Sequence, residues 1–379
     1  MRAWSAVSLL MYPLSAVIPA AVYAQPTSPG FIPGHIFASV NGSESCFTQR
    51  NWIYQIDPAS GEQWIFADSA DGLCVSNGLA FTPDGRRLRT SNLLSRTILD
   101  FDSAGNATVV YSQADGMTGP WGQNGLAWNR AGDFFVANEY GRYVMRFPAA
   151  GGPGLVLTDG YPDITGGGGL AITRGGDLYL AKNGIHRIPP SGPIVRFDRF
   201  TQPGYRQPNA LAIDQRGRLF AGVVTQADGV NRVEVHVYDD LPSARRRLVS
   251  DQFPYIADYP AITLSPDESE VWVATLGGIF GVSVEGGPVR LVHADTIPLA
   301  SYGRGLTEYV PPRPGDLNCD RRIDNFDIDA FVEAVVDADA FALHYPWCRR
   351  DLADLNGDGQ VNEFDIDGFV AALVGAQQP

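Results

Sequence analysis

The chain has 379 residues and a formal net charge of −14, with 42 acidic against 28 basic side chains. Nothing in that acidic balance suggests a nucleic-acid partner. The acidity is also local: residues 314–379 hold 14 acids and 4 arginines, a balance of −10, which leaves only −4 for everything before them.

Residues 1–24 read as a secretory signal. Arg2 supplies the positive end, an apolar run follows from about Ala6 to Val22, and Tyr23-Ala24 offers a small-residue cleavage site before Gln25-Pro26. Pro13 and Pro19 interrupt the run, which is short for a spanning helix. The expected mature protein is exported, secreted or periplasmic, with no membrane span after signal cleavage. Four cysteines fit that address. Cys46 and Cys74 lie early, Cys319 and Cys348 lie late, and an even count in an exported chain predicts disulfides within each half. The spacing matches no zinc site.

Residues 25–310 repeat. Five segments share a phrase: Asn77-Gly78-Leu79-Ala80-Phe81, Asn124-Gly125-Leu126-Ala127-Trp128, Gly168-Gly169-Leu170-Ala171-Ile172, Asn209-Ala210-Leu211-Ala212-Ile213 and Pro260-Ala261-Ile262-Thr263-Leu264. A fainter sixth copy is Arg304-Gly305-Leu306-Thr307-Glu308. Successive starts lie 47, 44, 41, 51 and 44 residues apart. Each of the five is followed by a tight-turn signal, such as Pro83-Asp84-Gly85 or Ala131-Gly132, and then by β-rich runs. Periods in the forties built from short strands and turns predict a mostly β fold, a six-bladed β-propeller. The first strand, within Gly34–Val40, resembles a second strand of a blade, so blade one lacks its innermost strand. The orphan phrase after residue 304 can supply it, so that Gly305 to Val310 pairs beside Ile36 to Val40 and closes the ring. The chain then leaves through a Pro-rich linker, 311–315.

If each phrase runs down an inner strand, its first residue lies at one mouth of the axial channel. Asn77, Asn124 and Asn209 would gather there, and Glu139 and Asp258 could approach from loops. The Asn-Gly-Leu-Ala phrases resemble those of the gluconolactonase and senescence-marker family of propellers, within the wider NHL and TolB-like group. That resemblance implies a divalent metal polarising a lactone. The chain departs from the pattern at Arg304, where the family has a metal-binding Glu, and at Asn209, where it has Asp. A ring of neutral amides lacks the charge that holds a catalytic divalent ion. The same asparagines also read as turn residues bonding their own backbone. No Gly-x-Ser-x-Gly elbow is present. The five histidines form no ligand pair, and Trp52, Trp64, Trp121, Trp128 and Trp272 suit a sugar groove or the cores of blades.

Residues 316–375 carry one twelve-residue pattern twice, 38 residues apart. The first copy offers Asp316, Asn318, Asp320, Asp324 and Asp327 at positions 1, 3, 5, 9 and 12. The second offers Asp354, Asn356, Asp358, Asn362 and Asp365. Arg322 and Gln360 stand at position 7, where a backbone carbonyl serves. This is EF-hand spacing, which wraps hard oxygens around Ca²⁺. Apolar residues at helical spacing follow each loop, with Phe326, Phe331 and Val335 predicted to bury one stripe. Asp at position 12 and the loop–helix duplication resemble the dockerin domain. The resemblance implies a small all-α module with two Ca²⁺ sites, docking to a cohesin-like or cell-surface protein. Asn325-Phe326 and Glu363-Phe364 hold the positions that choose the partner in that family. Arg321 occupies position 6, where the turn favours Gly.

Two functions follow from these residues. In the first, the tail docks while the propeller binds a glycan, peptide or protein. In the second, the propeller is a hydrolase, lactonase-type or polysaccharide-acting, that the tail brings to its substrate.

Overall fold

The computed structural model describes residues 28–41, 51–117, 123–138, 143–158, 168–200, 205–227, 230–254, 260–294 and 301–376. Residues 1–27, with the expected signal, and Cys46, Trp121, Glu139 and Asp258 fall outside them. The fold is mostly β: six four-stranded antiparallel sheets form among the described residues, followed by three short helices.

In five blades the shared phrase forms the innermost strand, and the chain then steps outward. Blade two runs Ser76–Phe81, Leu88–Asn92, Thr97–Phe101 and Ala107–Tyr111. Blade one is composite. Its inner strand is Ser301–Glu308, paired antiparallel with Ile36–Asn41, so that Ile36 faces Glu308 and Val40 faces Tyr302. The pairing continues as Tyr309 N–H donates to His35 O and Gly34 N–H donates to Tyr309 O. The ring therefore closes between strands from the two ends of the repeat region. The closing strand begins four residues before the expected Gly305.

Each interface between blades is an apolar layer. Phe37, Phe66, Phe81, Leu88 and Phe101 are buried together where blade one meets blade two, and Phe31 and Tyr309 pack onto them. Phe220, Val235 and Val237 of blade five meet Val271, Val273 and Phe280 of blade six in the same way. Alternating strand residues face opposite sides of a sheet, and here both sides are covered by neighbours, so the strands read as nearly continuous apolar runs.

At the axis the phrase glycines act by their lack of a side chain. A Cβ on Gly125 would lie 2.4 Å from Leu170 N, and one on Gly305 would lie 2.5 Å from Asn77 O. The inner strands approach backbone to backbone, and a cavity of about 90 Å³ lies between them toward the end where they begin.

Between blades two and three lies a buried ion pair. Arg89, 1 % exposed, donates from Nε and Nη2 to Asp100 at 2.6 and 2.8 Å, and its guanidinium lies 4.5 Å from the centre of the Phe134 ring.

The tail holds α1 (Ile328–Val336), α2 (Ala338–His344) and α3 (Ile366–Ala376). The Phe331 and Phe369 rings stack with centroids 4.2 Å apart. Cys319 and Cys348 form a disulfide, which contributes about 3–4 kcal/mol by restricting the unfolded chain. Cys74 is also disulfide-bonded. Phe326 departs from the predicted stripe. It sits in the turn before α1 and is 58 % exposed, while Phe331 is buried and Val335 packs partly against the tail core. The helix begins only at Ile328, so Phe326 is out of phase with the buried face.

Two outcomes are expected. Gly305→Val lowers stability by about 1–3 kcal/mol through forced displacement of packed backbone, whereas Gly175→Ala, whose Cβ would have only Thr173 Oγ1 nearby at 3.9 Å, leaves the denaturation midpoint in place. Arg89→Met costs about 3–5 kcal/mol by leaving Asp100 buried without its cation, and Arg89→Met with Asp100→Leu recovers most of that loss in the same denaturation measurement.

Candidate functional site

Both loops of the tail have the same backbone wiring. In the first, Asp327 Oδ1 accepts from Leu317 N and Asn318 N at 2.8 and 3.1 Å, and Asp327 Oδ2 accepts from Asp324 N at 2.8 Å. In the second, Asp365 repeats this with Leu355 N, Asn356 N and Asn362 N at 2.8, 3.1 and 3.0 Å. Position 1 closes the other end: Asp316 accepts from Asp320 N and Arg321 N, and Asp354 accepts from Gly357 N, Asp358 N and Gly359 N. The positions-1-and-12 acids thus hold each loop in a ring.

That ring needs positive φ at two places. Loop two has Gly357 and Gly359 there, with φ of 75° and 84°. Loop one has Cys319 and Arg321, with φ of 53° and 67°. Each such non-Gly residue costs on the order of 1–3 kcal/mol. The Cys319–Cys348 disulfide pins one of them, and Arg321 Nη1 donates to Glu308 Oε1 at 3.0 Å, which anchors the other to the closing strand of the propeller.

Charge is crowded in loop one. Asp316 is 1 % exposed, and burial, followed by the neighbouring Asp327 and Asp320 carboxylates, pushes it up to about 8. Burial raises Asp327 to about 6 despite its three N–H donors. Asn318 Nδ2 is buried without a hydrogen-bond partner. Hard oxygens that repel one another in a buried loop are chemically suited to a Ca²⁺-sized cation. Among the described residues, no group of three or more His, Cys, Asp or Glu side chains is placed to hold a metal. The carboxylates turn to backbone N–H groups and, in loop one, to arginines.

Those arginines belong to the propeller. Loop one lies over the face formed by the turns between first and second strands of the blades. Arg130 of blade three and Arg174 of blade four reach Asp320 Oδ2 at 3.4 and 3.1 Å, and Arg174 also bonds Asp324 Oδ2. Their guanidinium carbons lie 4.5 and 4.4 Å from the Phe326 ring centre. Trp347 packs over the blade-three turn so closely that a Cβ on Gly132 would fall 1.5 Å from Trp347 Cδ1. Pro312 packs onto Gly85 of blade two in the same way. Between tail and propeller is a chamber of about 410 Å³ lined in part by Arg130, Arg174, Glu268, Glu308 and Asp320. Burial and the nearby Asp214 raise the Glu268 carboxyl. Loop two, in contrast, is open: Asn356, Asp358, Gln360 and Glu363 are exposed, and Phe364 is 71 % exposed.

Arg130 and Arg174 were not singled out from the sequence. Both stand six residues after the start of their phrases, the same register in adjacent blades. The corresponding residues elsewhere are Pro83, Gln215 and Pro266. An arginine at one repeat position in two neighbouring blades was the available signal.

At the opposite mouth, Asn77 is buried at the start of its inner strand and Asn209 lines the axial cavity. Asn124 is the second residue of the strand Gln123–Trp128. The loops expected to bring Glu139 and Asp258 lie outside the described residues. The histidines take structural partners: His35 meets Gln55 and stacks on Trp64, His236 meets Glu234, and His293 meets Gln63. Trp272 is buried and donates to Glu270.

No protein-family model matches the sequence, and no curated protein matches it. Solved structures do resemble the fold. A nidogen–laminin complex aligns at 14 % identity and TM-score 0.55, over 73 % of this chain and 98 % of that one. A putative gluconolactonase aligns at 15 % identity and TM-score 0.46, over 60 % and 80 %. A gluconolactonase of Xanthomonas campestris aligns at 17 % and 0.45, over 71 % and 89 %. At 14 % identity the likeness to the nidogen–laminin structure is one of fold alone.

Proposed function

We propose that this is an exported two-module protein in which a dockerin-like tail, shaped by Ca²⁺ at two loops, attaches the molecule to a cohesin-like or cell-surface partner, while the propeller binds a glycan, peptide or protein. The observation that carries the calcium reading is the duplicated wiring of 316–327 and 354–365 around positions 1 and 12. Asp316, Asn318, Asp320, Asp324 and Asp327, with the Arg322 carbonyl, would hold one ion. Asp354, Asn356, Asp358, Asn362 and Asp365, with the Gln360 carbonyl, would hold the other. The ion would supply charge to the crowded carboxylates and order to the helices that follow.

The attachment reading rests on the exposed apolar set beside loop two. Phe364, Ile366, Val370 and Val374 are each 45 % exposed or more. Export is supported by the signal-like start and by the disulfides. No helix among the described residues is long and apolar enough to cross a membrane. The propeller is read first as a binding module, with the amide Asn209 among the residues lining the small cavity at the start of the inner strands.

Calorimetric titration of the full chain with Ca²⁺ is expected to show two sites, and saturation at one hundred times Kd adds about 2.7 kcal/mol of tail stability per site. Asp365→Ala removes one site and leaves the other. Absence of Ca²⁺ uptake at millimolar concentration defeats the reading. Attachment is checked by pull-down from secreted proteins of the source, where chelator is expected to abolish capture.

A further inference from the structure

We infer that the first loop of the tail is an intramolecular latch in which propeller arginines and Ca²⁺ compete for the same carboxylates. Calcium at that loop then releases the tail from the propeller and uncovers the chamber beneath it. The inference rests on the calcium reading above and goes beyond it.

The two loops share one backbone and differ in what meets their side chains. In loop one, Asp320 and Asp324 stand at ligand positions 5 and 9, and both are engaged by Arg174, with Arg130 also on Asp320. The two guanidinium groups hold Phe326 as well, one at 4.5 Å and the other at 4.4 Å from its centre. Charge and ring contact act on the same three residues of the loop. In loop two the equivalents Asp358 and Phe364 are exposed, and position 9 is the neutral Asn362. The charge that the propeller recognises at position 9 is present only in the loop it contacts.

A divalent cation drawing on Asp320 and Asp324 would place its charge a few ångströms from the guanidinium groups that already neutralise them. The carboxylates cannot serve both at full strength. Repulsion between cation and guanidinium in a partly buried contact is only partly screened. Linkage makes the effect reciprocal: docking weakens Ca²⁺ at loop one, and Ca²⁺ at loop one weakens docking by the same factor. Loop two touches none of these arginines and serves as an internal reference. The remaining contacts, Arg321 to Glu308, Trp347 over Gly132 and Pro312 on Gly85, set how much the latch must overcome.

The test compares wild type with Arg130→Gln/Arg174→Gln and Arg130→Lys/Arg174→Lys, all as full chains, by Ca²⁺ calorimetry and small-angle scattering; a melting curve reports propeller integrity. The Gln pair is expected to tighten one of the two Ca²⁺ sites on the order of tenfold and leave the other unchanged. The Lys pair, which keeps the charge, is expected to stay near wild type. In scattering, the wild type extends when Ca²⁺ is added, and the Gln pair is already extended in chelator. Two unchanged sites, or a first site weakened in the Gln pair, overturn the latch while the calcium reading stands. No uptake at either site in any of the three proteins overturns the calcium reading and the latch with it.

Discussion

Pairing of Ser301–Glu308 with Ile36–Asn41 is the contact from which the rest of the molecule takes its place. It joins strands that are 260 or more residues apart in sequence, so its loop-closure entropy is unfavourable and must be offset by the layers it completes. It brings Leu306 into the core shared by blades six and one, and sets Tyr309 against Phe31 and Phe81. The same strand ends at Glu308, whose carboxylate bonds Thr263 and Arg321. The tail therefore starts at a fixed point on one face, already tied to its own first loop.

That face has an unusual use of small residues. Turn glycines at Gly85 and Gly132 do more than permit a tight turn, because the space where a side chain would stand is filled by Pro312 from the linker and Trp347 from the tail. Their contacts are apolar and cost little to form once the strand has closed. The ion pairs beside them behave differently. Arg130 and Arg174 are about 30 % exposed, a setting in which single pairs contribute roughly 0–1 kcal/mol. Their significance is in which carboxylates they meet. At the opposite mouth, where the inner strands begin, neighbouring strands approach backbone to backbone at the phrase glycines around a small cavity.

Much of this was legible in the chain. The period of the Asn-Gly-Leu-Ala phrase specifies the blade, because a strand that must approach its neighbours at an axis tolerates little beyond glycine and small apolar residues. The misplaced first strand announces composite closure, and the acids at alternate positions announce two like loops. Phe326 was misassigned because its spacing to Phe331 and Val335 fits a helix that begins two residues too late to include it. The need for positive φ at Cys319 was also hidden, since the cysteine spacing pointed only to a disulfide.

By itself, the sequence determined the six-fold repeat, the strand that closes it, the Cys319–Cys348 pairing within the tail and the oxygen pattern of both loops, since each of these follows from local periodicity or spacing. Only the tertiary structure decided that one loop lies against the propeller and the other faces solvent. The two loops share their acids at positions 1, 5 and 12 and differ at positions 6 and 9, where loop one has Arg321 and Asp324 and loop two has Gly359 and Asn362. What those differences meet is set by the position of Glu308, Arg130 and Arg174 in space, and those residues come from three different blades whose nearness is a property of the closed ring.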